Sequence, residues 1–381
     1  MNRKKIAVIF GGISPEHDVS ILTGVQACHS LDQDKYEAIP VYVDVKGVWW
    51  AGESLLKNHA SLVNGCQFKG VKRVDLSRGG LYCNNQLYCA VDICLIALHG
   101  GDGEDGTIQG ICEANQMPYT GMRRTGATVA MNKWVTKKML SSIGVKVLPD
   151  HLLHKLPSGQ FYSKDMLTEL NIKFPVCVKP CSLGSSVGVG FADDLDTLQA
   201  LLLDLFDYDD AVLIEPAVQS LKEFNVAVRK DESGEVVLSA IESPKTNDWL
   251  DFQQKYCQGS GHKKQSAHGL INLSRDINPS MPTSMLDELV FSAKVAFEAL
   301  GGFGMPRIDF IADMSQKKIW LNEVNTTPGS FGHYLWAAKN QNNGYVWVLN
   351  HLLEEANRCF SNSSLGDPVP KTARLFKRNP A

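Results

Sequence analysis

The stretch RIDFIADMSQKKIWLNEVNTTPG, residues 307–329, reads as two strands joined by a polar turn. Side chains alternate along an extended strand, so Arg307 and Asp309 share one face, as do Glu323 and Asn325. A hairpin folding near Ser315 or Gln316 lays Asp309 almost opposite Glu323. Three oxygen ligands and one guanidinium then collect on a single sheet face. Mg²⁺ is a hard cation that takes one or two carboxylates and completes its shell with phosphate and water, so Asp309, Glu323 and Asn325 suit it. An arginine beside such an ion points to an anionic substrate. The alternative, an ordinary hairpin edge with alternating polar residues, explains neither the turn from Asn325 to Gly329 nor the residues beyond that turn.

Upstream, VKPCSLGSSVGVG (residues 178–190) puts Lys179 at a strand end, ahead of a loop in which Gly184, Gly188 and Gly190 let backbone N–H groups approach an oxyanion. The run lacks the Walker pattern, and no GxGxxG follows the first strand, so neither a P-loop nor a dinucleotide-binding enzyme is supported. A plain flexible loop is the competing reading. Lys133, Lys179, this loop and a metal-type hairpin in one chain favour phosphate binding. In ALHGGDGEDGTIQG (residues 97–110), His99 follows a strand, and four glycines surround Glu104 and Asp105. So much glycine at a strand's carboxyl end implies tight turning beside a ligand. The loop after the first strand, GGISPEHDVS (residues 11–20), offers Glu16, His17 and Ser20. Glu16 is a carboxylate for a substrate ammonium or, alternatively, a helix cap.

The chain has 381 residues, enough for two or three domains of about 150 residues each. We expect three lobes over residues 1–120, 121–218 and 219–381. With 44% hydrophobic and 21% charged residues and a net charge of −3, the composition is globular and carries no basic footprint for nucleic acid. The apolar run in MNRKKIAVIFGG is too short for a signal peptide, and no run approaches a membrane span, so a cytoplasmic protein is expected. Ten cysteines without a CxxC pair read as reduced, packed thiols.

The strand KIAVIF, a glycine loop and the helix ILTGVQACHSL, with Ser20 as its possible N-cap, open an α/β unit. EAIPVYVD and VDICLIALHG read as further buried strands of a parallel sheet. The middle of the chain reads as a helix carrying MNKWVTKKML, the strand FPVCVKP, a helix near LDTLQALLLDLF and the strand AVLIEPAV. Then come a polar segment from Ile241 to Leu270, the helix SMLDELVFSAKVAFEALG, the hairpin and a C-terminal helix.

In GGISPEHDVS, HGGDGEDGTIQG, VKPCSLGSSVGV, RIDF and NEVNTTPG, taken in order, the sequence resembles the D-alanine–D-alanine ligase family of the ATP-grasp superfamily, from about residue 4 to residue 355. The resemblance implies an α/β, three-lobed ATP-grasp fold with an N-terminal open parallel α/β sheet lobe. It implies ATP between the central and C-terminal lobes, with Lys133 and Lys179 on its phosphates and Ser186 also among the residues that bind it. Glu215, Ala217 and Val218 would surround the adenine and Glu223 would meet the ribose. Asp309, Glu323 and Asn325 would hold two Mg²⁺ (or Mn²⁺) ions.

The implied chemistry is activation of a carboxylate to an acyl phosphate, then attack by the amine of a second amino acid. Arg307 and the Gly329 N–H would stabilise the oxyanion. Glu16 would hold the first ammonium, with Ser185 and Tyr256 in its network; His99 would orient that substrate, and Lys255 would approach the transferred phosphoryl group. A segment from about Asn247 to Gly269 would close over the site. Amino-acid substrates and a homodimer are also implied. Three positions depart from the family pattern. Asn132 stands for an aspartate, Ala217 for an aromatic near the adenine, and Tyr334 for the serine that binds the second amino acid's carboxylate. A phenol can donate a hydrogen bond but fills far more volume, so the acceptor subsite is expected to differ in shape.

Overall fold

The computed structural model describes residues 3–57, 62, 70–157, 160–184, 188–245 and 275–362. Ser185, Ser186, Lys255, Tyr256 and the segment expected to close over the site lie outside the described residues.

The chain begins with β1 (Lys4–Gly11), α1 (His17–Ser30), β2 (Tyr36–Val43), β3 (Trp49–Ala51), the single turn α2 (Ser54–Lys57) and β4 (Lys72–Arg73). A small antiparallel sheet of β5 (Asp75–Ser77), β6 (Gly80–Cys83) and β7 (Gln86–Ala90) precedes β8 (Ile93–Ile96) and α3 (Thr107–Ala114). The larger sheet has the order β4-β3-β2-β1-β8. β1 runs parallel to β2 and β8, as expected, but β3 and β4 add an antiparallel edge. The cause is local. The turn from Asp44 to Val48 closes on itself, with Gly47 at φ +76°, and a tight turn can return a strand only antiparallel. Both faces of β1 are buried: Ile6, Val8 and Phe10 enter one core, Ala7 and Ile9 another. Such a strand reads as a continuous apolar run.

The expected N-cap of α1 is corrected. The helix starts at His17, and Ser20 lies inside its first turn. Its hydroxyl accepts from the Gly11 N–H (2.8 Å) and donates to the Ala97 carbonyl (2.7 Å), tying the end of β1 to the chain beyond β8.

Next come α4 (Arg124–Met131), α5 (Lys133–Ser142), β9 (His151–His154), α6 (Lys164–Glu169), β10 (Val176–Pro180), β11 (Gly190–Ala192), α7 (Leu195–Leu205) and β12 (Ala211–Pro216). Asn132 caps α5, its Oδ1 accepting the Val135 N–H at 3.0 Å, so the carboxamide does the capping that an aspartate could do. The central sheet, β11-β10-β12-β9, is antiparallel and shares an apolar core with α7.

The last sheet is built from β13 (Leu221–Lys230), β14 (Val236–Pro244), β15 (Arg275–Ile277), β16 (Arg307–Asp313) and β17 (Lys318–Asn325), in the order β15-β14-β13-β16-β17. Helix α8 (Thr283–Ala299) packs on it. The polar segment expected from Ile241 instead begins inside β14, where Glu242 and Ser243 are buried. Helices α9 (His333–Lys339) and α10 (Tyr345–Asn362) then return to the first sheet, where Trp336, Leu349 and Leu353 join Val8 and Phe10 in one core. The eight described cysteines are free, and no helix among the described residues is long and apolar enough to cross a membrane.

Candidate active site

The hairpin of β16 and β17 folds in the expected register, Arg307 opposite Asn325 and Asp309 opposite Glu323. A bulge then interrupts the ladder, because Phe310 pairs with Leu321. The extra residue, Asn322, breaks strict alternation, and its Oδ1 accepts from Lys179 Nζ at 2.9 Å. Period-two reasoning missed this contact. Arg307 and Asp309 form a bidentate pair, with both N–H···O distances 2.7 Å. Burial raises the Asp309 carboxyl, Arg307 opposes the rise and the charges of Glu323 and Glu223 add to it; the group stands at about 6. Asn325 Oδ1 is buried with no hydrogen-bond partner. A carboxyl pushed up and an orphaned acceptor on one face fit a hard cation. No group of three or more His, Cys, Asp or Glu side chains suited to a metal occurs among the described residues. An ion here would therefore need oxygens from its substrate to complete the shell.

Facing this hairpin is a second set of charges. Lys179 is the next-to-last residue of β10, Lys133 and Lys137 lie one turn apart on α5, and Glu215 sits on β12. Glu215 Oε2 is 2.6 Å from Lys179 Nζ, and Oε1 contacts Lys137 Nζ. Burial alone would raise the Glu215 carboxyl, but Lys179 and Lys137 outweigh it and hold the group at about 2. Lys137 was not foreseen. Its i,i+4 spacing from Lys133 on one helix face was the available signal. Lys133 Nζ contacts the Leu183 carbonyl and stands 3.5 Å from Glu323, which links the two sheets. Ala217 and Val218 follow β12, and Glu223 lies on β13 near enough to Asp309 to act on its charge.

Loops at the end of the first sheet supply the third wall. Glu16 precedes α1 but makes no side-chain cap bond, so the cap reading is set aside. A Cβ placed on Gly100 would lie 2.5 Å from Glu16 Oε2, and one on Gly184 3.2 Å from it, so both loops close on this carboxylate. Glu16, Gly100, Lys133, Gly184, Glu323 and Asn325 line one cleft. His99 lies behind it with both ring nitrogens engaged, Nε2 to Thr23 Oγ1 (2.8 Å) and Nδ1 to the Thr327 carbonyl (2.7 Å). It thus braces the turn after β17. Glu104 does the same: Oε1 accepts from Gly100 N, and Oε2 from Thr326 N, Thr326 Oγ1 and Thr327 N.

Gly329 opens a short 3₁₀ turn in which Ser330 (φ +47°) and Phe331 (φ +54°) are left-handed. That backbone is costly for non-glycine residues and is held by surrounding contacts, including Ser330 Oγ to Gln26 Oε1 at 2.8 Å. Tyr334, just beyond, donates to Glu242 Oε1 (2.7 Å) beneath the Arg275 guanidinium.

Residues 5–122 match the family described as "D-ala D-ala ligase N-terminus", and residues 139–354 match "D-ala D-ala ligase C-terminus". A D-alanine–D-alanine ligase from Thermosipho africanus is 32% identical over 365 residues, 93% of this chain and 94% of that protein. The VanG D-Ala:D-Ser ligase from Enterococcus faecalis superposes with a TM-score of 0.75 at 23% identity, covering 93% of this chain and all of the other. The D-alanine–D-alanine ligase of Bacillus anthracis complexed with ATP gives 0.65 at 23% identity, covering 94% and 99%. Three sheets converging on one cleft, with matches spanning both parts of the chain, lead to one conclusion: the chain belongs to the D-alanine–D-alanine ligase family of ATP-grasp enzymes.

Proposed function

We propose that the chain joins two molecules of D-alanine, with ATP as phosphoryl donor, to make the dipeptide used in peptidoglycan. The observation that carries this reading is the cleft in which Glu16 from the loop after β1, Lys133 from α5 with Gly184 from the loop after β10, and Glu323 with Asn325 from β17 meet. Glu16 holds the ammonium of the first D-alanine, so its carboxylate points toward the charged hairpin. Lys133 and Lys179 take the nucleotide phosphates, with Glu215, Ala217 and Val218 around the base and Glu223 at the ribose. Asp309, Glu323 and Asn325 would hold Mg²⁺, which neutralises phosphate charge during transfer.

Transfer of the terminal phosphoryl group converts the first carboxylate to an acyl phosphate. The second amine, its ammonium having lost a proton, attacks the acyl carbon to form the C–N bond, and the tetrahedral intermediate collapses as the C–O bond breaks and phosphate leaves. Arg307 and the Gly329 N–H stabilise the oxyanion of the tetrahedral intermediate. With both ring nitrogens bonded to protein, His99 acts by positioning Thr23 and the turn at Thr327 rather than by touching substrate. Tyr334 in place of the family serine favours a second reading, the same activation with another acceptor, such as D-serine or D-lactate. By the same likeness the working unit is a cytoplasmic homodimer, which sedimentation checks.

The test is phosphate release from ATP and Mg²⁺ with D-alanine alone, then with D-alanine and a panel of amino and hydroxy acids, products being weighed by mass spectrometry. Dipeptide from D-alanine alone is expected. Turnover only with mixed pairs transfers the conclusion to the second reading, and no turnover with any pair refutes both.

A further inference from the structure

Tyr334 has one O–H to donate, and Glu242 Oε1 takes it at 2.7 Å. The phenol therefore cannot also donate to an acceptor's carboxylate, the duty of the serine it replaces. Burial, with the Glu242 charge behind it, raises the phenol's pKa and keeps it a donor. Asn225 Nδ2 joins the same Glu242 oxygen at 3.3 Å, and Asn225 pairs in register with Asp309. The tyrosine is thus linked, through Glu242 on β14 and Asn225 on β13, to the strand beside the one that carries Arg307 and Asp309.

Against the ring stands a cation. The Arg275 guanidinium carbon is 4.1 Å from the Tyr334 centroid, and Nη1 donates to Glu242 Oε2 at 3.0 Å. Stacking on an aromatic face and pairing with a carboxylate fix the orientation of a guanidinium, whose planar fork of five N–H donors matches a carboxylate. Arg275 and Arg307 both act on the Tyr334 hydroxyl electrostatically, so this side of the site has two guanidinium groups about one phenol.

We propose that Arg275 reads the α-carboxylate of the acceptor amino acid, with the Tyr334 ring as its platform and Glu242 as its brace, so that the subsite takes a small acceptor with a free carboxylate. This rests on the ligase reading above and deepens it. An acceptor lacking that charge, such as D-alaninamide, is discriminated against.

Wild type and Arg275→Met are compared with ATP, Mg²⁺ and D-alanine, measuring dipeptide at limiting acceptor and the preference for D-alanine over D-alaninamide as acceptor. In parallel, hydroxylamine traps the acyl phosphate: its nitrogen attacks the acyl carbon, phosphate leaves, and D-alanyl hydroxamate forms with no acceptor carboxylate involved. The expected result is that Arg275→Met loses dipeptide formation by about 30-fold or more and loses its preference for the carboxylate acceptor, while hydroxamate formation persists. Arg275→Lys, which keeps the charge, recovers part of the preference. Dipeptide and hydroxamate falling together in both variants, or an unchanged preference for D-alanine over D-alaninamide, overturns the proposal while leaving the ligase reading intact. Wild type forming neither product sinks the ligase reading and this proposal with it.

Discussion

Two clusters of buried charge face each other across the cleft, and they respond to burial in opposite ways. In the Lys137–Glu215–Lys179 cluster the carboxyl falls to about 2. At Asp309 it rises to about 6. Loss of water pushes both carboxyls up; the difference lies in the company. Glu215 has two lysines, each at most 3% exposed, whereas Asp309 has one arginine and stands near the charges of Glu323 and Glu223. With Asp150 Oδ2 3.6 Å from Lys137 Nζ, the first cluster is closed, balancing its own charge, so it is also a scaffold for the nucleotide-facing groups of the proposed reaction. The second has an excess of anionic and neutral oxygen, Asn325 Oδ1 among it, and is arranged to receive positive charge.

Breaking the closed cluster gives the largest expected effect. Glu215→Ala leaves two buried ammonium groups without their shared partner and should destabilise the fold by about 3–5 kcal/mol, read as a lowered denaturation midpoint in urea. A midpoint equal to wild type's refutes the scaffold role. Glu323→Ala, in the open cluster, should instead reduce ATP turnover by about 10²–10³-fold. Its partly exposed contact with Lys133 makes the stability change small, within about 1 kcal/mol. Turnover close to wild type in that variant would remove the metal assignment.

A third site sharpens the comparison, because it is buried like Asp309 but belongs to neither cluster. Glu355 on α10 accepts from the Gly304 N–H at 2.8 Å. Burial raises its carboxyl to about 7 against the lowering by that bond and by Arg123, Arg358 and Lys230. Between about pH 4.5 and 7 the folded state then binds more protons at Glu355 than the unfolded state. Stability from this group is therefore full below the unfolded value, declines as pH rises through that window, and is level above it. The decline amounts to up to about 3 kcal/mol, and Glu355→Gln should flatten it. An unaltered pH profile of melting in the variant argues against the assignment.

Much of this was legible in the chain because local rules suffice. The register of the hairpin follows from period-two alternation and a polar turn, so Asp309 and Glu323 met as expected. The parallel core of the first sheet followed from strands that are apolar on both faces. The misreadings share a cause. Ser20 resembles a helix cap locally, yet it serves long-range contacts to Gly11 and Ala97. Glu242 looks like the start of a polar segment, yet Tyr334, Arg275 and Asn225 satisfy it inside a sheet. A buried polar group is recognisable only through its partners, and those of Ser20 and Glu242 lie 9 to 92 residues away.

The sequence by itself determined the family, the hairpin and the types of group that the chemistry needs, because each is written within a few neighbouring residues. Only the tertiary structure decided how those groups are shared. It gave His99 to Thr23 and Thr327 and the Tyr334 hydroxyl to Glu242, and it turned Asn322 toward Lys179 through a bulge. A donor's identity is covalent, but its assignment is settled when distant strands compete for it in a space from which water has been removed.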